Sequence, residues 1–171
     1  MTPRRAVSRV AIAGLLCACT PSARPDRSVV QLPVGRLTLI GSARIAAGDS
    51  VALAVRIRND GPRDTTVNLG ACSLSISMLR PDASTPLWEH ERWQQSPGDS
   101  PGAGRMCPLY RLAVPMKPGE TVSPSQLETS FAIKELLADS LSPGTYRFDA
   151  RVSLGDTSVT MSLGTLTLGR R

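Results

Sequence analysis

Residues 146–154 read Tyr-Arg-Phe-Asp-Ala-Arg-Val-Ser-Leu, and this stretch decides the fold class of the chain. Every second side chain is apolar, and the side chains between them are charged or polar. A period of two is the side-chain period of a β-strand that has one buried face. The pair Gly155-Asp156 favours a tight turn, after which the alternation resumes at Val159 and continues to Leu168. The stretch therefore predicts a β-hairpin.

The same period of two extends towards the amino terminus. Residues 51–58 alternate Val, Leu, Val and Ile with Ala, Ala, Arg and Arg, and residues 73–78 alternate Ser with Leu, Ile and Met. Shorter or less regular strands are predicted at residues 65–69, at 110–114 and within 121–133. Helix-forming composition is confined to residues 132–141, which predicts a short helical connection.

The number and spacing of these strands predict an all-β fold. About seven to eight short strands separated by Gly- and Pro-rich turns are typical of an immunoglobulin-like (Ig-like) antiparallel β-sandwich. A small closed barrel is the competing architecture.

The amino terminus has the composition of an export signal. Three Arg residues precede a short apolar run, residues 10–18, which is too short to span a bilayer. The run ends in Leu16-Cys17-Ala18-Cys19, which resembles a lipobox, the motif of bacterial lipoproteins. The resemblance implies that Cys19 is the acylated first residue, and Thr20 behind it favours the outer membrane in a Gram-negative organism. The alternative is an ordinary signal cleaved near Ala23, which would release a soluble secreted protein.

The lipobox divides the chain into three predicted parts: a cleaved signal peptide (residues 1–18), a short flexible tether (19–28) and an Ig-like domain (29–171). Loss of the signal removes three Arg residues, so 17 basic residues face 14 acidic ones and the net charge falls from +6 to +3. The remaining Arg residues are scattered and do not alternate with aromatic residues, which excludes a nucleic-acid partner.

Two cysteines remain in the predicted domain, Cys72 and Cys107. The cell envelope is oxidising, so a disulfide between them is expected. A loop of this length would stabilise the fold by roughly 3–4 kcal/mol. A metal or nucleophilic role is the weaker alternative, and a metal site is poorly supported because the chain has one distant His and lacks closely spaced cysteines.

The only histidine, His90, lies in Trp88-Glu-His-Glu-Arg-Trp93. Flanking carboxylates are typical of a general base or a metal ligand, but the sequence supplies no oriented nucleophile and no further ligands. The alternative is a strand or turn at the surface of the sandwich, with Trp88 or Trp93 packing inward. Two Gly-Asp-Ser triplets, at residues 48–50 and 98–100, resemble an esterase motif, but the sequence lacks the late Asp-x-x-His that such esterases also need. No catalytic residue, metal or cofactor is therefore predicted.

A polar, glycine-rich segment covers residues 94–106. Segments of this length are often either functional or disordered, and both readings stay open. If a binding surface exists, Trp88, Trp93 and Arg105 are its candidate residues, because aromatic and Arg side chains are common interface anchors.

Residues 45–155 resemble the intracellular proteinase inhibitor (BsuPI-like) family of Ig-like domains. The matching features are Val51-Ala-Leu-Ala-Val-Arg-Ile-Arg-Asn59, Leu87-Trp88, Lys117-Pro-Gly-Glu120 and Leu141-Ser-Pro-Gly-Thr-Tyr146. The resemblance implies a β-sandwich in which Tyr146 packs at a structural corner, and it permits proteinase inhibition. The lipobox and the cysteine pair depart from an intracellular inhibitor.

These features predict a non-catalytic, envelope-tethered Ig-like lipoprotein that mediates protein–protein interaction in the periplasm or at the cell surface. The expected partners are a membrane, through the lipid on Cys19, and another envelope protein. A proteinase inhibitor of the BsuPI-like type is the second expectation, and a hydrolase that uses His90 is the third.

Overall fold

The computed structural model of the protein describes residues 27–91, 111–137 and 141–169. These residues form an all-β structure of packed antiparallel sheets, which confirms the predicted sandwich class. Its eleven strands are β1 (Arg27–Val34), β2 (Leu37–Ala46), β3 (Ser50–Asn59), β4 (Thr65–Gly70), β5 (Leu74–Leu79), β6 (Trp88–Glu91), β7 (Arg111–Met116), β8 (Thr121–Val122), β9 (Glu128–Ala132), β10 (Gly144–Leu154) and β11 (Thr157–Leu168).

Helix is limited to short connections in the described part of the chain. A 3₁₀ turn covers Ser125–Leu127, and α1 covers Ile133–Leu136, within the range where a short helix was predicted. The strand count exceeds the predicted seven to eight mainly because β1 and β2 form an N-terminal hairpin that was not predicted. Strand β1 also begins at Arg27, inside the end of the predicted tether.

The strands form two main sheets and a ribbon. In the first sheet the order is β1-β2-β3, with β8 and β9 both pairing with β3. In the second sheet the order is β11-β10-β5-β6, and β4 and β7 form a two-stranded ribbon. The alternation predicted for residues 146–154 holds, because Tyr146, Phe148, Ala150 and Val152 are fully buried in the core between the sheets.

A β-bulge divides β11. Phe148 pairs with Gly164 and Asp149 with Ser162, so Leu163 is an extra residue on β11. The bulge shifts the alternation by one position. Both Leu163 and Leu166 are therefore buried, although three positions separate them.

The two ends of the sandwich differ. The start of β1 pairs with Arg44 near the end of β2, and the β2–β3 turn lies at this same end. At the opposite end, the buried Asn59 side chain donates to the carbonyls of Arg63 and Met116, and the N–H of Gly155 donates to the carbonyl of Asn68. The ribbon therefore covers the end of the sandwich that lies far from Arg27.

Candidate functional site

An aromatic cluster lies between the edges of the two sheets. Trp88 and His90 are two residues apart on β6, and both lie on its inward face, opposite the buried Met78 and Ile76. Their rings stack with centroids 5.8 Å apart and an interplanar angle of 8°. Phe131 on β9 meets both rings edge-on, with centroid distances of 4.9 Å to Trp88 and 4.7 Å to His90.

His90 has an apolar environment. Its ring contacts the aromatic rings of Trp88 and Phe131, its cross-strand partner is the aliphatic Ile76, and burial lowers its pKa. Glu89, its neighbour in the sequence, lies on the opposite face of β6, where the hydroxyl of Ser77 donates to it over 3.4 Å. The imidazole packed in this way covers the side of the core. Within residues 27–91, 111–137 and 141–169, no group of three His, Cys, Asp or Glu side chains could hold a metal ion.

Of the three predicted binding residues, only Trp88 lies within the described part of the chain. Trp88 is half-buried within the aromatic cluster, whereas Trp93, Arg105 and the segment 94–106 lie outside the described residues. Leu87, which precedes Trp88, has 44% of its surface exposed. Sequence reasoning missed Leu87 and Phe131 as members of this surface. Phe131 carried no signal, because its partners on β6 are about 40 positions away in the sequence.

The lipidation and disulfide predictions extend beyond the described residues. Cys19 and Cys107 both lie outside them, so the lipid anchor and the disulfide stay predictions. Cys72 lies in the turn between β4 and β5 and is half-buried. Gly70 pairs with Arg111, which is four positions from Cys107 in the sequence. The Arg111 end of β7 therefore lies beside the end of β4, two residues before Cys72.

Tyr146 lies at the start of β10 and is fully buried. Its hydroxyl donates to the carbonyl of Ser142, four residues upstream. The guanidinium of Arg80 lies over its ring at 5.4 Å from the centroid. This side chain therefore joins the start of β10 to the connection before it and to the end of β5.

The loop between β5 and β6 is held against β10 by Arg147. The Nη1 atom of Arg147 donates to the Pro81 carbonyl over 2.8 Å, and Nη2 donates to the Ala83 carbonyl over 3.2 Å. The Nε atom pairs with Asp149 at 3.1 Å, which fixes the orientation of the guanidinium. Residues 84–87 of this loop are exposed. The loop is therefore accessible to solvent while its backbone is restrained.

Two shallow clefts lie on the outer surface, with volumes of about 430 Å³ and 520 Å³. The smaller has a floor of Ala52 and Ala54 between Arg44 and Glu128, and the larger lies along the ribbon. Neither contains His90. The Gly-Asp-Ser triplet at residues 48–50 forms the β2–β3 turn, where the hydroxyl of Ser50 donates to the carbonyl of Ala47 over 3.2 Å. The second triplet lies outside the described residues.

Comparison with known proteins adds no assignment: no protein-family model matches this sequence, and no curated protein matches it. In the part of the chain that the structure describes, no helix has the length and apolar character needed to cross a membrane. Inferences about function therefore depend on the sequence motifs and on the geometry of the sandwich.

Proposed function

We propose that this protein is a non-catalytic, envelope-tethered Ig-like lipoprotein that mediates protein–protein interaction. The observation that carries the proposal is the position of the lipobox-like Cys19, eight residues before the first residue of β1. A tether of this length reaches at most about 27 Å when fully extended. A lipid on Cys19 would therefore keep the sandwich close to a membrane surface.

The strand order supports an Ig-like assignment. In Ig domains, strands A, B and E form one sheet, while G, F, C and C′ form the other. The orders β2-β3-β9 and β11-β10-β5-β6 follow the same arrangement. Tyr146 then stands near the start of strand F, and its hydrogen bond to an upstream carbonyl resembles the tyrosine corner of such domains.

The two ends of the sandwich support an orientation. Arg27, where the tether joins, lies at the end opposite the ribbon. In a tethered protein the ribbon end would point away from the membrane. Exposed ribbon residues such as Thr66 and Asn68 would then be accessible to other envelope components.

Two measurements test the proposal. Mass spectrometry of the mature amino terminus should find acylated Cys19, and an unmodified Cys19 or a start near Arg24 would contradict the anchor. Photo-crosslinkers placed on the folded domain in living cells should capture a reproducible partner, and Cys19→Ala should lower its yield. If no position yields a reproducible partner, the interaction role is wrong.

Proteinase inhibition is a second candidate function, which the restrained β5–β6 loop favours. A loop already fixed in one conformation loses little entropy when it enters a proteinase cleft. Titration of serine and metalloproteinases with the purified domain should show inhibition that weakens in Arg147→Ala, because that change frees the Pro81 and Ala83 carbonyls. Cleavage of the loop without inhibition would eliminate this candidate.

A further inference from the structure

Within residues 27–91, 111–137 and 141–169, the side of the sandwich that carries β6 and β9 has backbone edges without a strand partner. Among these residues, β6 is the last strand of the second sheet and pairs only with β5. On the facing sheet, β9 pairs only with β3 in the described part of the chain. Edge strands of this kind present N–H and C=O groups that can pair with another extended chain.

An apolar surface lies directly beneath the β6 edge. Trp88, His90 and Phe131 are all partly exposed there, and the exposed Leu87 extends the surface by one residue. A strand added to β6 would lie about 4.8 Å away, with alternate side chains on the inward face. Those side chains would pack against Trp88 and His90, as cross-strand neighbours do in a sheet. Apolar residues therefore suit the inward positions of the added strand.

The outer face of β6 adds a charge requirement. Glu89 is exposed on this face and accepts a long hydrogen bond from Ser77. A strand added beside β6 would place its outward side chains next to this carboxylate. Opposite charges at cross-strand positions are favourable, and like charges are unfavourable.

We propose that the outer edge of β6 binds an extended segment of a partner protein by β-strand addition, and that the segment alternates apolar with basic residues. The proposal specifies which kind of segment the partner would contribute, and it rests on the proposed interaction role. Main-chain hydrogen bonds would supply affinity, while the aromatic surface and Glu89 would supply specificity.

Fluorescence anisotropy of the full mature chain with labelled eight-residue peptides tests the proposal. A Val-Lys alternating peptide should bind. N-methylation of the alternate amides that face β6 should weaken binding at least about tenfold, because methylated amides cannot donate to a strand edge, whereas methylation of the other alternate set should weaken it much less. Glu89→Lys should reverse the preference between Val-Lys and Val-Glu peptides. Glu128→Lys makes the same charge change on the outer face of the other sheet and should leave the preference unchanged.

Trp88→Ala should lower affinity by about tenfold or more, as expected of a central aromatic anchor. Leu87→Ser provides a second variant that should fold normally, since Leu87 is exposed, and it should weaken binding by a smaller factor. Hydrogen exchange adds an independent readout, because the outward amides of β6 should exchange quickly in the free protein and slowly with the peptide.

Three results would overturn the inference: binding that is indifferent to N-methylation, a Glu89→Lys profile equal to that of Glu128→Lys, or slow exchange of every β6 amide without peptide. The last would mean that another part of this chain already covers the edge. If cellular crosslinking captures a partner only at the ribbon, the interaction role stands and the β6 site is wrong.

Discussion

Substitution of Asn59 should destabilise the domain far more than an ordinary surface change. Asn59 ends β3, has 1% of its surface exposed and satisfies all of its polar groups. Its side-chain amide donates to the carbonyls of Arg63 and Met116 over 2.9 and 3.3 Å and accepts from the Gly61 N–H at 2.9 Å. Its backbone pairs with Gly119 and Glu120. One residue thus joins β3 to the ribbon and to the turn before β8.

The expected cost of Asn59→Ala follows from the groups it leaves behind. A buried polar group without a partner costs about 1–3 kcal/mol. The Gly61 N–H and the Met116 carbonyl both belong to buried residues, whereas Arg63 is exposed and water can reach its carbonyl. Two orphaned groups give a loss of about 2–6 kcal/mol in the free energy of unfolding. With a urea m-value of about 2 kcal/mol/M, the midpoint should fall by roughly 1–3 M.

Urea unfolding followed by circular dichroism checks this value, with Asn68→Ala as the matched control. Asn68 is an exposed ribbon residue whose described contacts, the pairing with Ala113 and the hydrogen bond from Gly155, involve its backbone, so its truncation should cost under about 0.5 kcal/mol. Equal midpoints for the two variants would refute the reasoning.

Asn59→Asp provides a second test of the contacts of this side chain, through the pH dependence of stability. A carboxylate there would face two carbonyl oxygens, which raises its folded-state pKa above the unfolded value. The variant should therefore be most stable at low pH and lose stability as pH rises through the folded pKa.

Three further outcomes are expected. Burial lowers the pKa of His90, so the folded state binds the imidazole proton less tightly than the unfolded chain does. The stability that His90 contributes is present above the unfolded pKa and is lost as pH falls below it. His90→Phe should therefore flatten the acidic part of a plot of urea midpoint against pH. Tyr146→Phe removes the hydrogen bond to Ser142 while keeping the ring, and calorimetry should show a loss of about 1 kcal/mol. Under oxidising conditions, Cys72→Ser should lower the free energy of unfolding by roughly 3–4 kcal/mol, while the variant and the reduced wild type should be equally stable. Equal stability of the variant and the wild type under oxidising conditions would exclude the disulfide.

Strands were predictable where one face is buried and the other is solvated. Residues 51–58 and 146–154 satisfy this condition, and both alternate in the structure as they do in the sequence. Strand β2 does not satisfy it. Thr38 and Ile40 face outward yet are only 5% and 6% exposed, and Gly41 takes an inward position where a Cβ atom would lie 2.7 Å from Leu163. Burial on both faces removes the alternation, which is why the first hairpin was missed.

Contacts between distant parts of the chain were not predictable. Asn-Asp-Gly-Pro at residues 59–62 is typical of a turn, and a turn follows β3, but Asn59 also bonds to a carbonyl 57 positions away. A single sequence does not specify such a partner. The same holds for Phe131, whose position beneath β6 depends on how the two sheets pack.

Residues 88–91 show that side chains adjacent in the sequence can lie on opposite faces of a strand. Read along the chain, His90 and Glu89 look like an acid–base pair, but adjacent side chains on a strand point to opposite faces. His90 therefore belongs with Trp88 and Phe131, and Glu89 belongs with Ser77. The division gives β6 an aromatic inward face and an acidic outward face, beside a backbone edge that has no strand partner in the described part of the chain. An amphipathic extended peptide matches all three features at once. Hydrolysis by His90 would instead need the Glu89 carboxylate on the same face of β6 as His90, and the pleat of the strand places it on the opposite face.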